Sequence, residues 1–268
     1  MSSLEAIILL TTSAEINNGK FYKFCNQFLS MRKNNLSFNV FINNNDHDET
    51  AVMSFMSKLT IFKSAFIHTL NIPSELDIYI KETNNYSGKI PRLGLTSGPN
   101  IMFLEAIKFC FDKFDTVLVL ETDCLLKKNC FEVSKLYVQT LPDFLISGSR
   151  YLGSQSTDEL FSVFNMHYNG VAFYNTGSQE FKSLVKKMEE FIVSEVIKSP
   201  HNTVSYDMAF TGCLLRTDNI VSARRQLNKF INTTLIINCS PDFDSFITED
   251  EINEIYPRHV IFHTKRNY

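Results

Sequence analysis

The feature that most constrains this chain is the segment from Phe114 to Asp123, where the unbroken run Val117-Leu118-Val119-Leu120 ends abruptly on two carboxylates, Glu121 and Asp123. A half-solvated edge strand would alternate apolar with polar residues, so a continuous Val/Leu run fits a central parallel strand covered on both faces. In open α/β sheets the carboxyl ends of such strands face the ligand crevice. Acids delivered there are placed to hold a hard divalent cation beside a phosphate. The plainer alternative is a strand that stops at a polar turn, with Asp123 capping a helix that starts near Lys127 or Lys128.

Composition narrows the classes available. The chain has 268 residues and no linker-like stretch rich in Pro, Gly or Ser, so it reads as one domain, 1–268. A net charge of −3 gives no global drive toward nucleic acid, and any anionic ligand must be held locally. The cysteines at 25, 110, 124, 130, 213 and 239 form no CxxC pair, which argues against a zinc site or a redox dithiol. The start, Met1-Ser2-Ser3-Leu4-Glu5-Ala6, lacks the basic region and long apolar core of a signal peptide, and no segment has the length of a membrane span. A soluble, cytoplasmic protein with reduced thiols is expected. The abundance of Asn, Lys and Ile fits an AT-rich genome, which admits a virus-encoded protein in a host cytoplasm.

Periodicity predicts strands at 6–10, 37–42, 76–80, 116–120, 144–147, 170–174, 234–237 and 259–263. It predicts helices at about 18–31, within 49–70, at 97–114 with Ser97 as N-cap, at 125–136, at 179–197 and at 205–215. Strand, helix and strand at these lengths make the right-handed unit of a parallel sheet.

The first strand–helix junction, Thr11-Thr12-Ser13-Ala14, carries neither GxGxxG nor GxxxxGK[ST], which disfavours a dinucleotide-binding site and a P-loop. Further along, Glu121-Thr122-Asp123 is followed by an Asn-Gly strand, His167-Tyr168-Asn169-Gly170-Val171-Ala172-Phe173-Tyr174. An acid then opens a helix at Tyr206-Asp207-Met208-Ala209, and a late His closes the strand Val260-Ile261-Phe262-His263-Thr264-Lys265. This order of elements resembles the GT-A class of nucleotide-sugar glycosyltransferases over most of the chain. It departs from their acidic D-x-D motif at Glu121, where Asp is usual.

The resemblance implies a mixed, mostly parallel central sheet flanked by helices, with a Rossmann-like nucleotide-sugar-binding half at 1–126 and an acceptor-binding half at 127–268. It also implies Mn²⁺ or Mg²⁺ held by Asp123 and His263, with Glu121 on the metal shell or the ribose. Thr11, Thr12 and Ser13 would meet the nucleobase end of the donor, a UDP-sugar from what the family most often uses. Asn100, Arg92, Lys89 and Lys265 become donor contacts, Asp207 the general base, and Tyr168, Asn169 and Gly170 the sugar or acceptor face. Each has a plainer reading: His263 as a half-buried histidine bonded to backbone, Asp207 as a charge favourable to its helix dipole, Gly170 as a turn, Tyr168 as core, and the basic residues as solvated charges. The partners implied are a nucleotide sugar and a glycan or glycoconjugate acceptor; sugar, acceptor and stereochemistry stay open. The competing classes are a nucleotidyltransferase, which would need a Gly-rich, Arg-containing loop that 11–20 lacks, and a noncatalytic nucleotide- or sugar-binding protein.

Overall fold

The computed structural model describes residues 2–79, 88–150, 168–199, 204–216, 219–238 and 254–264. In chain order the elements are β1 (Leu4–Thr11), α1 (Ser13–Asn17), α2 (Lys20–Asn26), β2 (Ser37–Ile42), α3 (Glu49–Met56), β3 (Ser64–Thr69), α4 (Ser97–Cys110), β4 (Thr116–Glu121), β5 (Cys124–Leu126), α5 (Cys130–Thr140), β6 (Ile146–Arg150) and β7 (Tyr168–Tyr174). They continue with α6 (Gln179–Lys198), α7 (Tyr206–Leu215), α8 (Ile220–Leu227), β8 (Phe230–Asn232), β9 (Ile236–Asn238) and β10 (Ile261–His263).

A seven-stranded sheet runs in the order β3-β2-β1-β4-β7-β6-β8. Its first four strands are parallel, β7 is antiparallel to both β4 and β6, and β8 is parallel to β6. The Val/Leu run lies in the middle of it, and Val117, Leu118, Val119 and Leu120 are all fully buried. Alternation sends Val117 and Val119 into the layer formed with α4, α6 and α7, while Leu118 and Leu120 pack with α2 and α5 on the other face. In place of tryptophan the second layer uses phenylalanine: Phe28 meets Phe38 and Phe62 edge to face at 5.2 Å each.

A second sheet, β5-β10-β9, decides where the end of the described chain goes. β10 runs antiparallel to β5 and parallel to β9, which sets His263 opposite Cys124 on one side and Asn238 on the other. Thr264 fastens this register by donating both its amide, at 3.3 Å, and its hydroxyl, at 2.9 Å, to the carbonyl of Asp123.

Several local expectations are corrected. The helix expected at 18–31 is shorter: it starts at Lys20 behind Gly19, whose φ of 84° is a left-handed conformation that suits glycine, and it ends at Asn26, where the chain tightens into a 3-10 turn over Gln27–Ser30. The helix read within 49–70 stops at Met56, and β3 follows as a half-exposed edge strand whose pattern shows no clean alternation. Residues 76–79 are not a strand: the amides of Leu76 and Asp77 turn back onto the carbonyl of Pro73. Ile80 lies outside the described residues. Ser97 is not an N-cap but the first residue of α4, and its hydroxyl donates to Leu76 O. The segment 124–126 is strand rather than helix, because Gln27 bonds Leu126 N and Cys124 O while β10 pairs alongside. α5 starts only at Cys130 behind Asn129, so Asp123 caps no helix. α8 and β8 were not expected. No described helix is long and apolar enough to cross a membrane.

Candidate functional site

β4 ends at Glu121, and the turn at Thr122 and Asp123 that follows is held by the Thr122 hydroxyl on Glu15 and by the Thr264 hydroxyl on the Asp123 carbonyl, which keeps the Asp123 side chain next to Glu121. Glu121 and Asp123 therefore converge, and β10 brings His263 between them. The Nε2 atom of His263 lies 3.3 Å from Glu121 Oε2 and 3.2 Å from Asp123 Oδ1. One ligand atom from each of the three falls within 4.8 Å of the others. His263 is buried, and burial alone would lower its pKa, but its contacts with Asp123 and Glu121 outweigh this and raise it to about 10. Burial pushes the Asp123 carboxyl up, yet the neighbouring imidazolium prevails and the net shift is downward. These are ion-pair distances without hydrogen-bond alignment, since His263 Nε2 and Asp123 Oδ1 are buried atoms with no hydrogen-bond partner among the described residues.

Two carboxylates and an imidazole with orphaned atoms facing one another fit a Mg²⁺- or Mn²⁺-type cation. The neighbouring Cys124 is not part of this donor set; burial, its largest influence, holds the thiol well above its ordinary pKa and leaves it unreactive.

Glu121 is held from the other side. Its Oε1 accepts the Tyr206 hydroxyl at 3.3 Å, and the Tyr206 ring stacks on Phe103 with centroids 3.9 Å apart. A pocket of about 400 Å³ opens beside the cluster, lined by Thr11, Thr12, Glu15, Tyr79, Glu121, Asp123 and Tyr206 among others. A neighbouring cleft of about 460 Å³ shares Thr12 and Tyr79 and adds Ser13, Asn43 and Asp77. A larger cleft, about 540 Å³, lies at the amino ends of β1 to β3 and is lined by Lys63, Lys113 and Lys135. The acid and imidazole cluster is not there.

Glu15 ties the end of β1 to the acidic turn. Its Oε2 accepts the Thr11 hydroxyl at 3.1 Å and the Thr12 amide at 3.2 Å, while its Oε1 accepts the Thr122 hydroxyl at 2.7 Å and the Lys20 ammonium at 3.0 Å. The Lys20 charge also favours the ionised form of Asp123. Sequence reading missed Glu15, Lys20 and Tyr206. The first was within reach, because Thr12-x-x-Glu15 is a capping-box pattern and both of its reciprocal bonds form.

The remaining sequence candidates separate. Thr11 and Thr12 line the 400 Å³ pocket, and Ser13 lines its neighbour, where its hydroxyl donates to Asn44 O at 2.9 Å. Asn100 is corrected from donor contact to internal clamp. It is fully buried, its Nδ2 donates to Val204 O at 2.9 Å and Leu93 O at 3.2 Å, and its Oδ1 accepts the Tyr206 amide at 2.8 Å. Tyr168 is likewise corrected from acceptor face to core, with its hydroxyl donating to Phe230 O at 3.1 Å. Gly170 does permit a close approach, but the group that makes it is Tyr206. Asp207 opens α7 outside the cluster, and its Oδ1 accepts the Met208 amide at 2.9 Å and the Ser205 hydroxyl. Arg92 is an exposed turn residue that lines neither pocket, and Lys89 is exposed. Lys265 and the side chain of Asn169 lie outside the described residues.

No family model matches the sequence, and no curated protein matches it. Solved structures do match the fold. Mouse xyloside xylosyltransferase 1, in apo form, aligns with a TM-score of 0.57 at 13% identity, over 97% of this chain and 97% of that one. The galactosyltransferase LgtC in complex with donor and acceptor sugar analogs aligns with a TM-score of 0.56 at 13% identity, over 97% of this chain and 87% of its own. The glycosyltransferase GlyE of Streptococcus pneumoniae gives a TM-score of 0.58 at 10% identity, with 98% of this chain spanning 55% of that one. Identities this low speak for architecture alone. With its mixed seven-stranded sheet and helices on both faces, the chain has the GT-A type of glycosyltransferase fold.

Proposed function

We propose that this protein is a divalent-metal-dependent glycosyltransferase that moves a sugar from a nucleotide-diphosphate sugar, a UDP-sugar first among them, to a hydroxyl of a glycan or glycoconjugate. The observation that carries the reading is the cluster of Glu121, Asp123 and His263 at the carboxyl end of a central strand, beside a 400 Å³ pocket that reaches the end of β1. Asp123, His263 and Glu121 would hold Mn²⁺ or Mg²⁺, and the ion, when bound, would offset the charge that develops on a departing diphosphate. Thr11, Thr12 and Ser13 face the nucleobase end of the donor. Glu15 keeps the Thr12 and Thr122 turns in register and carries the Lys20 ammonium close to Asp123.

In the transfer, the bond from the anomeric carbon to the diphosphate oxygen breaks, with its electron pair leaving on the nucleoside diphosphate. The bond from the acceptor oxygen to that carbon forms. The acceptor proton goes to Asp207, the acid at the head of α7 next to Tyr206.

The test is thermal unfolding of the purified chain with a panel of nucleoside diphosphates and nucleotide sugars, each with Mn²⁺ and with EDTA. A ligand that binds only the native state raises the melting temperature by mass action. Stabilisation by one nucleotide only in the presence of metal supports the reading and names the donor. Folded protein that responds to no nucleotide overturns it.

A further inference from the structure

Behind His263, on the side away from the carboxylates, stands Asn238. Its Oδ1 lies 3.1 Å from His263 Nδ1, and both side chains are buried. A carboxamide can face an imidazole with either end, so the contact alone assigns no proton. The other end of Asn238 removes the ambiguity. Its Nδ2 lies 2.8 Å from the carbonyl oxygen of Ser149 and 3.2 Å from that of Arg150, at the end of β6. Carbonyl oxygens only accept, so the amide must direct its two protons at them. Oδ1 is then the atom presented to His263, and since it too only accepts, Nδ1 must carry a proton.

We infer that Asn238 is a positioning residue: it keeps the Nδ1 proton on His263, so that when the ring gives up its other proton to a metal, Nε2 is the bare nitrogen and its lone pair is aimed at the point shared by Glu121 and Asp123. This rests on the metal site proposed above. The parallel register of β9 and β10 sets Asn238 directly beside His263. The two carbonyls that orient Asn238 belong to the main sheet, so the imidazole is aligned by a chain of hydrogen bonds from β6 through β9 to β10. Unlike Glu121, Asp123 and His263, Asn238 touches neither the pocket nor the shared point of the donor atoms. It acts only through the ring. Partners of this kind on the far nitrogen of a metal-binding histidine commonly change metal affinity by about 10- to 100-fold when removed.

Two measurements test the inference. In the wild-type chain labelled with ¹⁵N-histidine and loaded with ¹¹³Cd²⁺, a proton on His263 Nδ1 and cadmium coupling to Nε2 are expected. Coupling to Nδ1, or an Nδ1 without a proton, overturns the assignment, and this readout needs no variant. Calorimetric titration with Mn²⁺ then compares wild type, Asn238→Ala and Asn238→Asp, each shown to be folded in EDTA by cooperative unfolding. Affinity should drop about 10- to 100-fold in Asn238→Ala and recover in part in Asn238→Asp, which keeps an acceptor oxygen. Unchanged affinity in folded Asn238→Ala overturns the positioning role while the metal site stands. Failure of the wild type to bind either Cd²⁺ or Mn²⁺ removes the metal site itself, and the inference with it.

Discussion

A Cβ added to Gly170 would stand 1.9 Å from the hydroxyl oxygen of Tyr206, the hydroxyl that donates to Glu121 at 3.3 Å. The missing side chain in β7 is therefore the space in which the orientation of an acid on β4 is set. Gly170→Ala should push Tyr206 off both Phe103 and Glu121, at a cost of about 1–3 kcal/mol, the usual range for overpacking. Urea denaturation should show this loss together with weaker Mn²⁺ binding. In a Tyr206→Phe background the penalty should shrink without vanishing, because ring atoms of Tyr206 would still lie 2.8 and 3.0 Å from that Cβ. Equal penalties in the two backgrounds would break the link.

Proton and metal should compete at His263. Its folded pKa stands at about 10 against an ordinary value of 6.5, so in metal-free protein the charged imidazole contributes stability that is complete below about pH 6.5 and lost as pH rises through about 10. Asp123 is shifted the other way. Its contribution is complete above the ordinary carboxylate range and lost as pH falls through its lowered folded value. With EDTA present, the urea midpoint should therefore decline from pH 6.5 to pH 10. Metal needs a bare Nε2, so near neutral pH its binding should expel about one proton. Calorimetry in buffers of different ionisation enthalpy counts that proton.

Removing one acid should separate the roles of the pair. Asp123 is the more enclosed, with a side-chain exposure of 14% against 34% for Glu121. Asp123→Ala should lower Mn²⁺ affinity by on the order of 100-fold or more and abolish metal-dependent stabilisation by a nucleotide. Glu121→Gln keeps an oxygen and should lose less. The reverse ranking in calorimetric titrations would make Glu121 the principal ligand.

Asn100→Ala tests the reassignment of that residue to structure. Its amide joins Leu93, Val204 and the first amide of α7. Three hydrogen bonds, two of them fully buried, at about 1 kcal/mol each predict a loss of roughly 2–4 kcal/mol in chemical denaturation. A change within about 0.5 kcal/mol would contradict the clamp.

Asp207→Asn distinguishes chemistry from helix electrostatics. Loss of a general base should slow sugar transfer by about 10² to 10⁴-fold while donor binding is kept. A residue serving only the dipole of α7 would instead leave the rate nearly unchanged and cost about 0.3–1 kcal/mol of stability.

How much of this was legible in the sequence follows from the range of the forces involved. Val117 to Leu120 declared a strand buried on both faces because burial acts on every residue in it, and the chain order alone put Glu121 and Asp123 at its carboxyl end, although the turn at Thr122 and Asp123 sets how their side chains face. Thr12-x-x-Glu15 was equally local, a capping box that reading along the chain could have found. β3 escaped because an edge strand is half exposed and shows no clean period. β5 escaped because a run of three residues becomes a strand only when β10 pairs with it.

The sequence by itself determined the parallel α/β core and the delivery of two acids to the end of its central strand, since hydrophobic pattern and strand alternation are properties of neighbouring residues. The family resemblance already paired His263 with Asp123; only the tertiary structure decided how His263 reaches both acids and which other groups meet them. His263 arrives across 140 residues from Asp123 through the pairing of β5, β9 and β10, Tyr206 through the stacking on Phe103 and the gap at Gly170, and Asn238 through the carbonyls of β6. The contacts of β5, β9 and β10 join runs of three residues each, too short to carry a hydrophobic period that reading along the chain could detect.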